Sequence, residues 1–128
     1  MSAASASFGL HRIGQILVTA RDLERAVRFY RDTLGMTFLF QVPRMAFFDC
    51  GGIRLMLGIP DPVVDHPASV IYYQVDDIQA AHQTLAGRGV EFITGPHLVA
   101  KLEKVALWLA DARDSEGNIL ALMSEVPR

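Results

Sequence analysis

Side chains able to do chemistry are sparse in this chain, and none stand at a short catalytic or metal-binding spacing. The four histidines, His11, His66, His82 and His97, are scattered over 128 residues, and the one cysteine, Cys50, has no histidine beside it in sequence to activate it. His97 follows Gly95-Pro96, in a stretch that reads as a loop. It either stands in solvent or overhangs a ligand site as an acid or base near neutral pH. Gln15 lies on a strand-like stretch and either bonds a neighbour or orients a ligand oxygen. Arg54 either pairs with Asp49 across a hairpin or anchors an acidic ligand. Phe47, Tyr72 and Trp108 supply aromatic surface that serves either as packing or as pocket lining. Met56 adds a soft sulfur.

The elements that must hold these residues repeat. In Ile13 to Tyr30, Gln15, Leu17 and Thr19 alternate with Ile16, Val18 and Ala20, the two-residue period of a strand. Asp22 can cap the helix that follows, Glu24 suits its positive end, and Ala26, Phe29, Tyr30 and Leu34 form one apolar side up to Gly35. A shift of 55 residues carries Asp22 onto Asp77, Leu23 onto Ile78, Ala26 onto Ala81, Ile16 onto Ile71 and Val18 onto Tyr73. A second echo lays Gly52–Leu57, GIRLML, over Gly117–Leu122, GNILAL. One strand–helix–strands module has been used twice.

Within the first module, Met36 to Val42 reads as a strand. Arg44 to Cys50 and Ile53 to Ile59 read as two more, joined by Gly51-Gly52, a strong two-residue hairpin signal. That turn predicts Cys50 opposite Ile53, Asp49 opposite Arg54 and Phe47 opposite Met56. Met45, Phe47, Asp49, Arg54 and Met56 then share one face, and Ile53, Leu55 and Leu57 the other. Pro60 to Pro67 reads as a linker. In the second module, Val70 to Val75 repeats the opening strand. Asp76 or Asp77 caps a helix ended by Gly87 or Gly89. Val90 to Ile93 is a short strand, Gly95 to Lys104 a loop, and Val105–Ala112 with Ile119–Met123 a final hairpin turning at Asp114–Asn118.

Bulk properties bound the rest. The chain is about one domain long, 51% apolar and only −2 in net charge. That leaves no electrostatic footprint for nucleic acid and no basic helix for a membrane surface. No apolar run is long enough to cross a bilayer. Residues 1–10 read as a flexible tail, and 11–128 as a single domain of two modules, about 11–60 and 68–126. One cysteine permits no internal disulfide and suits a reducing cytoplasm.

The paired βαβββ modules, the phrase DLERAVRFY at Asp22–Tyr30 and the phrase RDSEGNILAL at Arg113–Leu122 resemble the vicinal-oxygen-chelate superfamily, which includes glyoxalases, bleomycin-resistance proteins and extradiol dioxygenases. The resemblance implies an α+β fold in which two curled mixed sheets form a cup, often across a homodimer. It also implies four inward metal-ligand positions, which fall here on Gln15, Met56, Val70 and Ala121. Three of these cannot hold a hard or borderline divalent ion, and one neutral amide oxygen is too little.

The resulting expectation is a metal-free, cytoplasmic, small-molecule-binding protein with no cofactor, acting as a homodimer. Its cup is lined by Gln15, Phe47, Arg54, Met56, Tyr72 and Trp108 and capped by His97, around a neutral or weakly acidic, partly aromatic ligand. Asp49 is the one carboxylate placed in the cup. Two other classes stay open. One is a lyase, isomerase or dioxygenase of the same superfamily, with non-standard ligands or His97 as base. The other is a dimerisation or docking module with a vestigial cup.

Overall fold

The computed structural model describes residues 8–60 and 69–128. His66, nearly all of the expected linker and most of the expected tail lie outside that range. The repeat is visible at once in the order of elements. The first module runs β1 (Gln15–Thr19), α1 (Leu23–Arg28) widening into a π-helical turn (Phe29–Thr33), β2 (Thr37–Val42), β3 (Met45–Cys50) and β4 (Ile53–Gly58). The second runs β5 (Ile71–Gln74), α2 (Ile78–Gly87), β6 (Glu91–Phe92), β7 (His97–Lys101), β8 (Val105–Arg113) and β9 (Ile119–Pro127).

Local chemistry starts both helices in the same way. Asp22 and Asp77 sit in extended conformation just before them, and their carboxylates accept from the backbone N–H of Arg25 and Ala80. The first helix closes with Leu34 N–H donating to Phe29 O at 2.9 Å, and Gly35 supplies the left-handed residue (φ 75°) that turns the chain into β2. Gly51 and Gly52 both take positive φ, 63° and 89°, so the β3–β4 hairpin is a tight primed turn. Its register is the expected one: Cys50 opposite Ile53, Asp49 opposite Arg54, Phe47 opposite Met56.

The strands form two mixed sheets. The first has the order β1-β4-β3-β2, with β1 parallel to β4. The second has the order β5-β9-β8-β6, with β5 parallel to β9, and β7 also lies along β8. Equivalent residues pair equivalently: Ile16 with Leu55, and Ile71 with Leu120. Each sheet turns one face to a helix. Val18, Ala26, Val27, Tyr30, Phe48, Leu55 and Leu57 fill the first core, while Ile78, Ala110 and Leu122 anchor the second. Ile71 and Tyr73 also pack on the first core, so hydrophobic contact joins the modules.

Polar contacts make the same connection through the turn after β8. Asp114, buried, accepts from Tyr30 Oη at 2.8 Å and from the backbone N–H of Glu116 and Asn118. Asn118 donates through Nδ2 to Thr19 O. Glu116 accepts from the backbone N–H of both Arg21 and Asp22 and pairs with Arg25, all at 2.8 Å. The phrase RDSEGN is therefore a latch that seats the second module on the start of the first helix.

The stretch expected as a loop, Gly95 to Lys104, holds β7 instead. Its backbone pairs with β8, from His97 opposite Leu109 to Lys101 opposite Ala106, with a bulge between Leu98 and Ala100. Alternation was masked there by that bulge.

Candidate functional site

The face of the first sheet turned away from α1 carries the polar residues. β1 and β4 run parallel with Gln15 beside Arg54 and Leu17 beside Met56. β3 brings Phe47 next to Met56 on the other side of β4. Four expected site residues, Gln15, Phe47, Arg54 and Met56, are thereby brought together. Arg54 Nε donates to Gln15 Oε1 at 2.9 Å, its guanidinium carbon lies 5.2 Å from the Phe47 ring centre, and Gln15 Nε2 reaches Met56 Sδ at 3.7 Å. The guanidinium is thus fixed by one hydrogen bond and one aromatic face.

The expected alternative for Arg54, an ion pair with Asp49, does not form among the described residues. The hairpin register is as anticipated, but the parallel neighbour Gln15 supplies a closer acceptor, and Phe47 a surface to lie on. Only the non-local pairing of β1 with β4 shows this choice.

Phe40 joins this cluster, which two-residue alternation does not reveal. A bulge at Leu39 breaks the alternation of β2, so Phe38 pairs with Phe48 on the core face while Phe40 pairs with Phe47 on the open face. Phe40 stacks on Phe47 with ring centres 4.5 Å apart at 25° and remains 45% exposed. Strict two-residue periodicity would have put Phe38 and Phe40 together.

On the second sheet the expected linings separate. Tyr72 stands opposite Ala121 on the open face and is 51% exposed, as the repeat anticipates. Trp108 is a correction: it faces the helix. It shares the parity of Ala110 and Ala112, which are fully buried, and packs on the Ile78–Leu122 core. It lines a cavity of about 400 Å³ at the start of α2, together with Asp76, Ile78 and Ser124. A turn at 114–118 already places Ala110 opposite Leu122, so this signal was present in the sequence. The same register adds Asp111 and Glu125, opposite Ala121 and Leu107, to the open face, where Asp49 was expected to be the lone carboxylate.

His97 lies on the second sheet, exposed, with Leu109 as its register partner. Its Nδ1 is 2.8 Å from Gly95 O, so that nitrogen carries the proton and Nε2 is left for other contacts. His11 is exposed, and His82 packs edge-on against Phe92 at 4.4 Å. Cys50 lines a cavity of about 490 Å³ at the seam of the modules, with Ile16, Leu55, Ile71 and Tyr73. Burial first, and then the charge of Asp49, push its thiol pKa up.

The metal-ligand positions implied by the resemblance do not form a donor set. Gln15 Oε1 is already bonded to Arg54, Met56 offers a thioether, and Val70 and Ala121 offer no donor. No group of three His, Cys, Asp or Glu residues able to hold a metal occurs among the described residues. The residues at these positions do not fit a divalent ion.

Comparison with known proteins agrees with the architecture. Residues 12–122 match the family described as the Glyoxalase/Bleomycin resistance protein/Dioxygenase superfamily. Among solved structures, a superfamily member from Sphaerobacter thermophilus is 24% identical with a TM-score of 0.77, covering 91% of this chain and 98% of that one. A glyoxalase/bleomycin resistance protein/dioxygenase from Nocardioides is 20% identical with a TM-score of 0.73, covering 98% and 90%. A lactoylglutathione lyase from Agrobacterium tumefaciens is 21% identical with a TM-score of 0.70, covering 88% and 92%. At these identities the likeness is one of fold. No helix among the described residues is long and apolar enough to cross a membrane.

Proposed function

Since the chain belongs to the Glyoxalase/Bleomycin resistance protein/Dioxygenase superfamily, we propose that it is a metal-free member that binds a small molecule against the open face of its first sheet. The observation that carries this reading is the assembly of Phe47 and Arg54 around Gln15 and Met56, the two first-module positions where the superfamily resemblance puts metal ligands. A fixed guanidinium beside aromatic and thioether surface is a composition suited to holding an organic ligand: a few placed polar groups in an apolar setting. It lacks a paired acid and base, so binding rather than turnover is the proposed activity. Tyr72 on the second sheet is proposed to complete the lining, with His97 at its margin. The protein is proposed to work in the cytoplasm as a homodimer, a second copy covering exposed Leu39 and Val42 at the far edge of the first sheet.

The test is elemental analysis of the purified protein, with thermal unfolding in the presence of nickel, zinc, iron(II) and manganese. A ligand specific to the folded state raises the melting temperature. Sub-stoichiometric metal, no shift, and unchanged metal content in Gln15→Ala are expected. One metal per chain, lost in Gln15→Ala, would overturn the metal-free reading and favour an enzyme of the same superfamily.

A further inference from the structure

We propose, building on the ligand site above, that this site selects a flat aromatic monocarboxylate. The starting point is what Arg54 does not do. Its Nε is used by Gln15 and its flat face by Phe47, but neither terminal Nη group has a hydrogen bond or ion pair among the described residues. An unrestrained arginine at a surface has many rotamers, and ordering one costs entropy. Here Gln15 and Phe47 hold it before any ligand arrives. The planar fork that remains matches the two oxygens of a carboxylate, which can accept two parallel N–H bonds.

Charge limits the anion. By strand register, Arg54 is the cation that β1, β3 and β4 place on this face, and Asp49 stands directly across from it without pairing. Arg54 and Asp49 together make the face neutral, so a carboxylate held by the guanidinium leaves a single negative charge in excess. A dianion such as a phosphate monoester leaves two, and so meets the greater repulsion from Asp49. The surface beside the guanidinium selects the body of the ligand. Phe47 is nearly buried beneath Arg54, whereas Phe40 continues the same stack outward with half its surface open. Strand order sets Arg54 and Phe40 on opposite sides of Phe47, so a flat ring resting across the exposed edges of this stack, rather than on the outer face of Phe40, brings an attached carboxylate to Arg54. Met56, at the other side of Gln15, provides adaptable apolar contact without adding charge.

The experiment uses the full chain and three probes: 2-naphthoate, its neutral isostere 2-naphthamide, and 2-naphthyl phosphate. Affinities are read by calorimetry. The proposal expects naphthoate to bind at least about tenfold more tightly than either alternative, about the effect of one charge-assisted bidentate pair. Arg54→Met should reduce naphthoate to the level of naphthamide, Arg54→Lys should restore part of the difference, and Gln15→Ala should weaken naphthoate selectively. Phe40→Ala should weaken acid and amide equally. Each variant is first shown to unfold at the parent's temperature without ligand. Equal binding of acid and amide, both weakened by Phe40→Ala, would overturn the carboxylate inference while leaving the ligand site in place. Binding insensitive to both Arg54→Met and Phe40→Ala would remove the site itself. No binding of naphthoate, or tighter binding of the phosphate, would also overturn the inference.

Discussion

Glu116 offers the sharpest test of how the two modules are held. Its side chain is 1% exposed, yet it carries a charge. It accepts from the backbone N–H of Arg21 and Asp22 at 2.8 Å each, from Arg25 Nε at 2.8 Å and from Ser115 Oγ at 3.0 Å. Burial pushes its carboxyl pKa up, but the hydrogen bonds from Arg25, Asp22 and Ser115, with the charge of Arg25, outweigh it, and the net shift is downward. A pKa lower in the folded than in the unfolded state means that the carboxylate stabilises the fold above the unfolded value, near 4.3. That contribution is lost as pH falls through the folded value. Glu116→Ala removes the acceptor from two backbone N–H groups at a helix start. Water can reach that end of the helix, so the cost is about 2 kcal/mol rather than the sum of the separate bonds. Glu116→Gln keeps one carbonyl acceptor and loses the charge, costing about 1 kcal/mol. For a chain of this length, about 4 °C per kcal/mol predicts melting temperatures lowered by about 8 °C and about 4 °C at pH 7. Thermal unfolding followed by circular dichroism at pH 7 and again at pH 3.5 provides the assay. The gap between parent and Glu116→Gln should narrow at the lower pH, which lies below the unfolded value, where the ionised carboxylate contributes less to stability. An unchanged gap, or Glu116→Ala melting with the parent at pH 7, would refute the latch.

Three further outcomes follow from neighbouring features. Tyr30→Phe deletes the Oη that donates to buried Asp114, and should cost about 1–2 kcal/mol in urea unfolding; a change too small to measure would show that this bond does not join the modules. Trp108→Ala should destabilise by about 2 kcal/mol, as truncation of a partly buried core side chain, yet leave naphthoate affinity at Arg54 unchanged. Loss of binding at unchanged stability would return Trp108 to the ligand face. Cys50, whose thiol pKa is raised, should react with iodoacetamide at pH 8 more slowly than free cysteine, and matching rates would contradict its burial at the seam.

Features set by neighbouring residues were legible in the sequence, whereas those depending on which strands become neighbours were less so. Asp22 and Asp77 announce helices because a carboxylate can reach N–H groups three residues on, a purely local fact. Gly51-Gly52 sets the β3–β4 register because a two-residue turn leaves no freedom to slip. Arg54 is the opposite case. Its cross-strand neighbour Asp49 is local, but the partner it takes, Gln15, arrives by a parallel pairing across 39 residues. Phe40 was hidden by one extra residue at the bulge, which reverses the face of everything after it. The error at Trp108 had another origin. Its parity follows from the turn at 114–118 and the leucines of β9, which set Trp108 opposite Ser124 on the helix side; aromatic size alone does not tell one face from the other.

Duplication also explains why the proposed site is lopsided. The repeat carries Gln15 onto Val70 and Met56 onto Ala121, so both of these first-module positions have small or aliphatic counterparts in the second. Register is kept while chemistry is not: Tyr72 and Ala121 pair as Leu17 and Met56 do. A symmetric metal centre needs donors from both modules, because two positions on one sheet cannot surround an ion with enough of them. An arginine site has no such requirement. One guanidinium brings its own charge and several donors, and needs only an acceptor to orient it and a surface to lie on. Both are available within the first sheet. With Val70 and Ala121 in the second module, the donor set that the resemblance implies is incomplete, whereas the anion site proposed above needs only the first sheet.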